Sequence, residues 1–387
     1  LSSSSAASDV YKRQAIQSLV EGLKLSQYKF ETFKKEASEY SLDVQFISKS
    51  SNATLKKALA EGETVADGVN FARWLGDCPG NFMTPSQLAE EAKSAAKGTK
   101  MKVTAWNKAK IAKEKMDSLI GVSNGSVEEP RFIIMEYKGA AASKKPICFV
   151  GKGLTFDCGG ISIKPSAGME EMKFDMCGGS AVIAAMATIA KLKLKVNAIA
   201  YVPSSENMPG PAANKPGDIR KARNGTSIEI NNTDAEGRLI LADALCYASE
   251  QKPACIVDAA TLTGAMVIAL GNIHTGFYTR DEKLREKISK AGKQSGEEVW
   301  PMPLCDHHSN DMKGYYADLT NLAPSRGAGS ATAAAFLENF VDKDIPWAHV
   351  DVAGTAWHAG NRLPYAPKKG ASGSMVRTFV QLAKNHK

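Results

Sequence analysis

The stretch Ile147-Cys-Phe-Val-Gly-Lys-Gly-Leu-Thr-Phe-Asp-Cys-Gly-Gly-Ile-Ser-Ile-Lys164 decides how this chain folds. Its four leading apolar residues, ended by a glycine, predict a buried strand, because the run is too short for a buried helix. Charged groups follow at once: Lys152 and Asp157, set among glycines. Working outward, strands and helices alternate. Phe132–Met135, Asn197–Pro203, Ala254–Asp258 and His349–Val352 read as further strands, and Gly178–Leu192 and Arg238–Ser249 as helices. Asn224-Gly225 is a strong turn signal and predicts a hairpin over Arg223–Glu229. Thr84-Pro85 reads as a capped helix start. The alternation implies an α/β fold, a central, mixed but largely parallel sheet sandwiched by helices. In such sheets the chemistry gathers at the carboxyl ends of the strands.

Upstream, Ile16, Leu19, Val20 and Leu23 recur at helical spacing and predict a helix over Ala15–Phe33. Val44–Ile47 reads as a short strand. Thr54–Leu75 reads as one long helix, broken by Asp77-Cys-Pro-Gly. The opening Leu1–Gln14, rich in Ser and Ala, resembles a translated sequencing adapter and is read as a non-native leader. The domain reading is therefore a leader (residues 1–14), a small leading piece (15–53), a connecting helix (54–76) and the main domain (77–387).

Composition narrows the function. Of the 387 residues, 43% are hydrophobic and 23% charged, which suits a globular protein with a large core. No run approaches the roughly 18 consecutive apolar residues of a membrane span, so no membrane role is expected. The formal charge of +8 is a mild bias, and Lys108–Lys115, Lys144–Lys145 and Lys191–Lys195 read as solvated faces. A nucleic-acid role is not expected, since no basic and aromatic residues interleave. The seven cysteines form no CxxC pair and are irregularly spaced, which fits reduced thiols and a cytoplasmic setting. The six histidines share no spacing that suggests a metal site.

The chemistry lies in three glycine-rich segments: Val150–Lys164, Met172–Gly179 and Asn231–Leu239. In the third, Asp234 and Glu236 stand two apart before a helix, where extended backbone points them the same way. Such carboxylates repel unless a cation lies between them. The competing reading is that one of them simply caps the helix. Asp157 and Asp175 each precede a Cys-Gly-Gly. Four converging carboxylates would balance two divalent cations, and an oxygen-rich, histidine-free set suits Mn²⁺, Mg²⁺ or Zn²⁺. A pair of such ions about 3.5–4 Å apart is a known hydrolytic device. Lys152 could ligate as a neutral amine, and Lys164 could stabilise a developing oxyanion; taken singly, either reads as a snorkelling surface lysine. Arg238, at a helix start, suits a small anion.

These residues resemble a known family. Asn232-Thr-Asp-Ala-Glu-Gly-Arg-Leu239 is identical to the signature octapeptide of the leucine (cytosol) aminopeptidases. Val150–Lys164, Glu206–Pro209 through Pro216–Asp218, and Trp347–Gly354 look like the same family. The similarity runs from about Ala15 to the carboxyl end. It implies a metalloexopeptidase that releases amino-terminal residues, Leu and similar apolar ones preferred, from peptide substrates. Asp157, Asp234 and Glu236 would hold one ion, and Lys152, Asp157, Asp175 and Glu236 the other, as Zn²⁺, Mn²⁺ or Mg²⁺. Lys164 would bind the carbonyl oxygen, and Arg238 a bicarbonate that shuttles the proton after attack by metal-activated hydroxide. Met172, Asn232, Thr261, Leu262 and Gly264 would bind substrate, although Met172 alone reads equally well as core packing. The family assembles as a homohexamer and carries a sizeable amino-terminal α/β domain. Residues 15–53 would be the remnant of that domain, which puts assembly in doubt here. The remaining alternatives are a catalytically silent relative, a DNA-binding regulator, and another two-metal hydrolase such as a phosphatase.

Overall fold

Side chains of a strand point alternately to its two faces, and at Ile147–Val150 that alternation sets the layers. The computed structural model describes residues 2–36, 44–46 and 53–386, with backbone alone for residues 2–12. Its strands are β1 (Lys102–Trp106), β2 (Arg131–Lys138), β3 (Ile147–Gly151), β4 (Gly153–Asp157), β5 (Asn197–Asn207), β6 (Asp218–Lys221), β7 (Ser227–Ile230), β8 (Cys255–Ala260), β9 (Thr275–Tyr278), β10 (Val299–Met302), β11 (Leu319–Thr320) and β12 (Trp347–Asp351). Among the described residues, the main sheet runs β1-β2-β5-β3-β8-β12-β9-β10, with β4 also paired to β5. The central pairs β5–β3, β3–β8 and β8–β12 are parallel, while β1, β2 and the β12–β9 pair are antiparallel. A smaller sheet, β11-β7-β6, stands beside it.

Phe149 of β3, Ala200 of β5 and Val257 of β8 face one way, onto the helices Ala53–Asp77, Cys177–Lys191, Glu282–Ser295 and Val376–Asn385. Cys148, Val150, Tyr201 and Ile256 face the other, onto Asp117–Ser123, Gly237–Glu250 and Gly329–Glu338. The result is the expected α/β sandwich. Both faces of the central strands are covered, which is why they read as unbroken apolar runs.

The helix Cys177–Lys191 is buried nearly all round. With the 3₁₀ turn Met169–Met176 before it, the stretch Met169–Lys191 is apolar and long enough to cross a membrane by composition alone. Yet 89% of its most apolar window is buried inside the fold, so it is a core element. Glycine places it: a Cβ on Gly178 would lie 2.2 Å from the Ala259 carbonyl oxygen at the end of β8. Only a bare backbone can approach that closely, and this contact delivers Asp175 to the strand ends.

Two expectations at the front need correction. The first helix spans Ser2–Ser26 and stops well before Phe33. There the chain turns so that the Tyr28 hydroxyl donates to Asp77 (2.6 Å), while Phe33 packs edge-on against Phe82. Tertiary contacts override the helical period. In the expected strand Val44–Ile47, residues 44–46 have no regular structure and lie exposed, without a ladder partner among the described residues; Ile47 lies outside them. The long helix and the helix capped by Thr84 form as predicted, as Ala53–Asp77 and Pro85–Ala96; the hairpin turns at Asn224-Gly225 as expected, but its first strand, β6, lies before Arg223 and pairs antiparallel with β7.

Candidate metal centre

The carboxyl ends of β3, β4, β5 and β8 converge on one cluster of buried charge. Lys152 follows β3, Asp157 ends β4, and Asp175 rides on the 3₁₀ turn docked by Gly178. Asp234 and Glu236 lie between β7 and the helix Gly237–Glu250. Glu236 occupies the cap position of that helix but makes no capping hydrogen bond, so its carboxylate points elsewhere.

The distances are short. Lys152 Nζ is 2.8 Å from Asp175 Oδ2 and 2.8 Å from Glu236 Oε1, and it donates to the Thr261 carbonyl at 3.1 Å. Lys164 Nζ is 2.8 Å from Asp157 Oδ2 and 2.5 Å from Asp234 Oδ1. Asp157, Asp234 and Glu236 each offer an oxygen within 4.8 Å of the others. Lys152, Asp157, Asp175 and Glu236 are buried, while Lys164 and Asp234 are partly open to solvent. The lysines thus face the carboxylates and are not surface snorkellers.

Four carboxylates meet two ammoniums here, which leaves negative charge in excess. Protonation is favoured at Asp175, Asp234, Glu236 and both lysines. Burial, then repulsion from Asp157, pushes Glu236 up to about 8, and burial lifts Asp175 to about 6. Asp234 is raised by burial and by Asp157. Burial opposes the charge on Lys152, yet Asp175, Glu236 and Asp157 outweigh it and hold the ammonium above its ordinary range. Lys164 is raised in the same way, Asp157 leading among the carboxylates. A buried cluster that binds protons this readily is short of positive charge. Glu236 Oε2 is buried without a hydrogen-bond partner. An orphan carboxylate oxygen in a hard, carboxylate-rich cradle with one lysine nitrogen fits divalent cations.

Several residues hold these groups, and of them sequence reasoning missed Asn207 and Asn321. Asn207, the last residue of β5, donates to Asp157 Oδ1 (2.8 Å), and the Gly159 amide reaches the same oxygen at 2.9 Å. The Thr261 hydroxyl donates to Asp175 Oδ1 at 2.7 Å. Asn232 accepts from the Asp234 amide (2.8 Å), so it positions a ligand candidate as well as bordering the site. Asn321 binds the backbone of Asn231 and Asn232 and accepts from Arg238 Nη1 at 2.9 Å. Arg238 is buried, its Nε has no partner among the described residues, and burial lowers it to about 10.

Met172 lies half-buried on the 3₁₀ turn, three residues before Asp175. Gly264 is exposed at the start of the helix Gly264–Leu270, where a Cβ would meet nothing within 4 Å. Between Thr261 and Gly264 the loop is fastened by the fully buried Asp351. That carboxylate accepts from the Leu262 amide (3.2 Å), the Thr263 hydroxyl (2.7 Å), the Ser330 hydroxyl (3.2 Å) and the Ala353 amide (3.1 Å). The histidines stand apart from the cluster: His349 Nδ1 pairs with Asp258 at 2.5 Å deep in the sheet, and His358 with Glu171 at 3.0 Å.

A family model described as the cytosol aminopeptidase family, catalytic domain, matches residues 70–380. The chain is 64% identical over 371 residues to a probable cytosol aminopeptidase of Bdellovibrio bacteriovorus, covering 95% of this chain and 74% of that protein. It is 48% identical over 326 residues to a probable cytosol aminopeptidase of Burkholderia mallei, covering 84% of this chain and 63% of that one. Among solved structures, the bottromycin maturation enzyme BotP superposes with a TM-score of 0.88 at 32% identity, covering 95% of this chain and 78% of that one. The same enzyme in complex with Mn gives 0.86 at 31% identity, covering 95% and 79%.

Proposed function

The chain belongs to the cytosol aminopeptidase family, and we propose that it releases amino-terminal residues from peptides at the cluster around Glu236, preferring Leu and similar apolar residues. The observation that carries this reading is the buried carboxylate set with excess negative charge and an orphan Glu236 oxygen. Asp157, Asp234 and Glu236 would hold one divalent ion; Lys152, which would have to give up the proton it holds in the metal-free cluster, would hold the second with Asp157, Asp175 and Glu236. Mn²⁺, Zn²⁺ and Mg²⁺ all suit these donors, and BotP has been solved with Mn. Bound there, such ions supply Lewis acidity toward the scissile carbonyl and toward water.

The remaining work falls to this chain's own groups. Lys164 keeps its proton and sits at the partly open side of the cluster. From there its Nζ can donate to the carbonyl oxygen as negative charge grows on it. Arg238, with its unpartnered Nε at a helix start, would hold a small anion, and bicarbonate bound there would supply a base. Met172, Thr261, Leu262 and Gly264 would border the pocket for the first side chain, open above Gly264. Asn232 would border it as well.

All seven cysteines are free, which accords with a cytoplasmic setting. Ile268 and Tyr315, 90% and 86% exposed, would offer apolar surface to a homohexamer. The test is hydrolysis of leucine p-nitroanilide by the purified chain with added Mn²⁺ or Zn²⁺, beside its N-acetylated analogue. Metal-dependent release from the free amine alone supports the reading. Equal cleavage of the blocked analogue, or none of either by folded, metal-loaded, assembled protein, overturns it.

A further inference from the structure

The opposite end of the sheet carries a second charged feature, of the other sign. The strands β3, β5, β8 and β12 run parallel, so the loops before them open on one face. There a cavity of about 550 Å³ is lined by Lys144, Lys145, Lys195, Lys283, Lys287 and Lys384. These come from four separate places: the loop before β3, the turn before β5, the helix Glu282–Ser295 and the helix Val376–Asn385. In the sequence, Lys144, Lys145 and Lys195 read as solvated faces, and the fold brings Lys283, Lys287 and Lys384 to them.

The counter-charge is small. Lys384 pairs with Glu61. Asp281, the carboxylate on the rim, accepts from the Leu284 amide at 2.7 Å as a helix cap. Among the described residues, Lys144, Lys145, Lys195, Lys283 and Lys287 have no ion-pair partner. Burial, and then Lys287 and Lys144, hold the His386 imidazole at the same rim below its ordinary value, as a positive local field would. The floor is apolar, with Val196, Cys255 and Leu284 buried beneath the lysines.

Convergent ammoniums over an apolar floor repel one another unless an anion lies between them. Lysine is a habitual binder of phosphate oxygens, and the volume falls within the range of about 300–1,000 Å³ usual for small-molecule sites. We propose that this cavity binds a small polyphosphate-bearing anion, its phosphates on the lysine rim and any attached planar or apolar body on the floor. A nucleic acid would ask for a continuous basic track, whereas these lysines close around one concavity.

Isothermal titration of tripolyphosphate and of ATP into the full chain at about 150 mM salt, where diffuse surface attraction is screened beyond about 8 Å, tests this. We expect saturable binding at one site. The exposed pair Lys195→Gln/Lys287→Gln should weaken it at least about tenfold, and the distant pair Lys97→Gln/Lys100→Gln, the same change in charge, less than about twofold. ATP binding tighter than tripolyphosphate identifies a nucleotide, and equal binding a free polyphosphate. Absence of saturable binding, equal loss in both pairs, or tighter binding of a short DNA duplex at the same salt overturns the proposal.

Discussion

The two ends of the central sheet solve opposite problems with the same residue type. At the carboxyl ends, Lys152 is buried and touches two carboxylates at 2.8 Å each. At the amino ends, Lys195 and Lys287 are exposed and lack an ion-pair partner among the described residues. A buried ammonium survives only where partners offset its desolvation; an exposed one needs none. Surplus charge therefore means different things at the two ends. Buried, it is unstable without a bound counter-ion and marks a site whose groups fold and ligand bind together. Exposed, it sets only a local field, and substitution there should alter binding without cost to the fold.

The contrast is broken most directly at Asp234. Asp234→Ala should release at least one metal equivalent and lower leucine anilide hydrolysis by at least about 10³-fold, measured as metal content and turnover on the same sample. Lys164→Ala sharpens the division of labour. We expect metal content to hold while kcat falls about 10²–10³-fold, because an ammonium that faces substrate acts on the transition state. Full turnover in this variant would show that Lys164 only neutralises Asp157 and Asp234.

A smaller effect is expected one layer out. Asp351 touches no ligand candidate but ties Leu262 and Thr263 to the end of β12. Asp351→Asn should raise KM for leucine anilide about tenfold and compress the discrimination between leucine and alanine anilides, with kcat less affected. A parallel loss of kcat with unchanged discrimination would assign Asp351 to stability alone.

The smallest effect concerns Asp243, a buried carboxylate facing no cation. It accepts the Leu119 and Arg223 amides at 2.9 and 2.8 Å. Burial raises it to about 7 despite those bonds. The folded state then holds this proton more tightly than the unfolded state, so the contribution of Asp243 is greatest below about pH 4 and is lost as pH rises to about 7, by about 1.4 kcal/mol per unit of displacement. Urea melts of metal-free Asp243→Asn should show a flatter pH dependence than the parent across that window. An unchanged slope would mean that Asp243 titrates normally in the fold.

The sheet's central strands were legible because burial on both faces writes unbroken apolar runs such as Ile147–Val150. So were the charged candidates, since Lys152, Asp157, Asp175, Asp234 and Glu236 stand out among glycines. The residues that aim them, or that fasten the neighbouring loop, were not. Asn207, Asn321 and Asp351 act from positions up to 90 residues away in sequence, and a lone Asn or Asp carries no local sign of what it will meet. The early end of the first helix at Ser26 has the same cause, since Tyr28 and Phe33 answer to Asp77 and Phe82. Nor did the lysine cavity show, because its members share no motif and meet only when parallel strands align their starts.

The central claim is that the carboxylate cluster binds divalent ions and that peptide cleavage depends on them. Titrating Mn²⁺ into metal-free chain while following leucine anilide hydrolysis tests both halves at once. Activity should rise with bound metal up to about two equivalents per chain, and Asp157→Ala, which removes one of the two carboxylates (with Glu236) assigned to both proposed ion positions, should show no rise. Hydrolysis that persists in chelator, or that responds to Mn²⁺ equally in the Asp157 variant, would contradict the account.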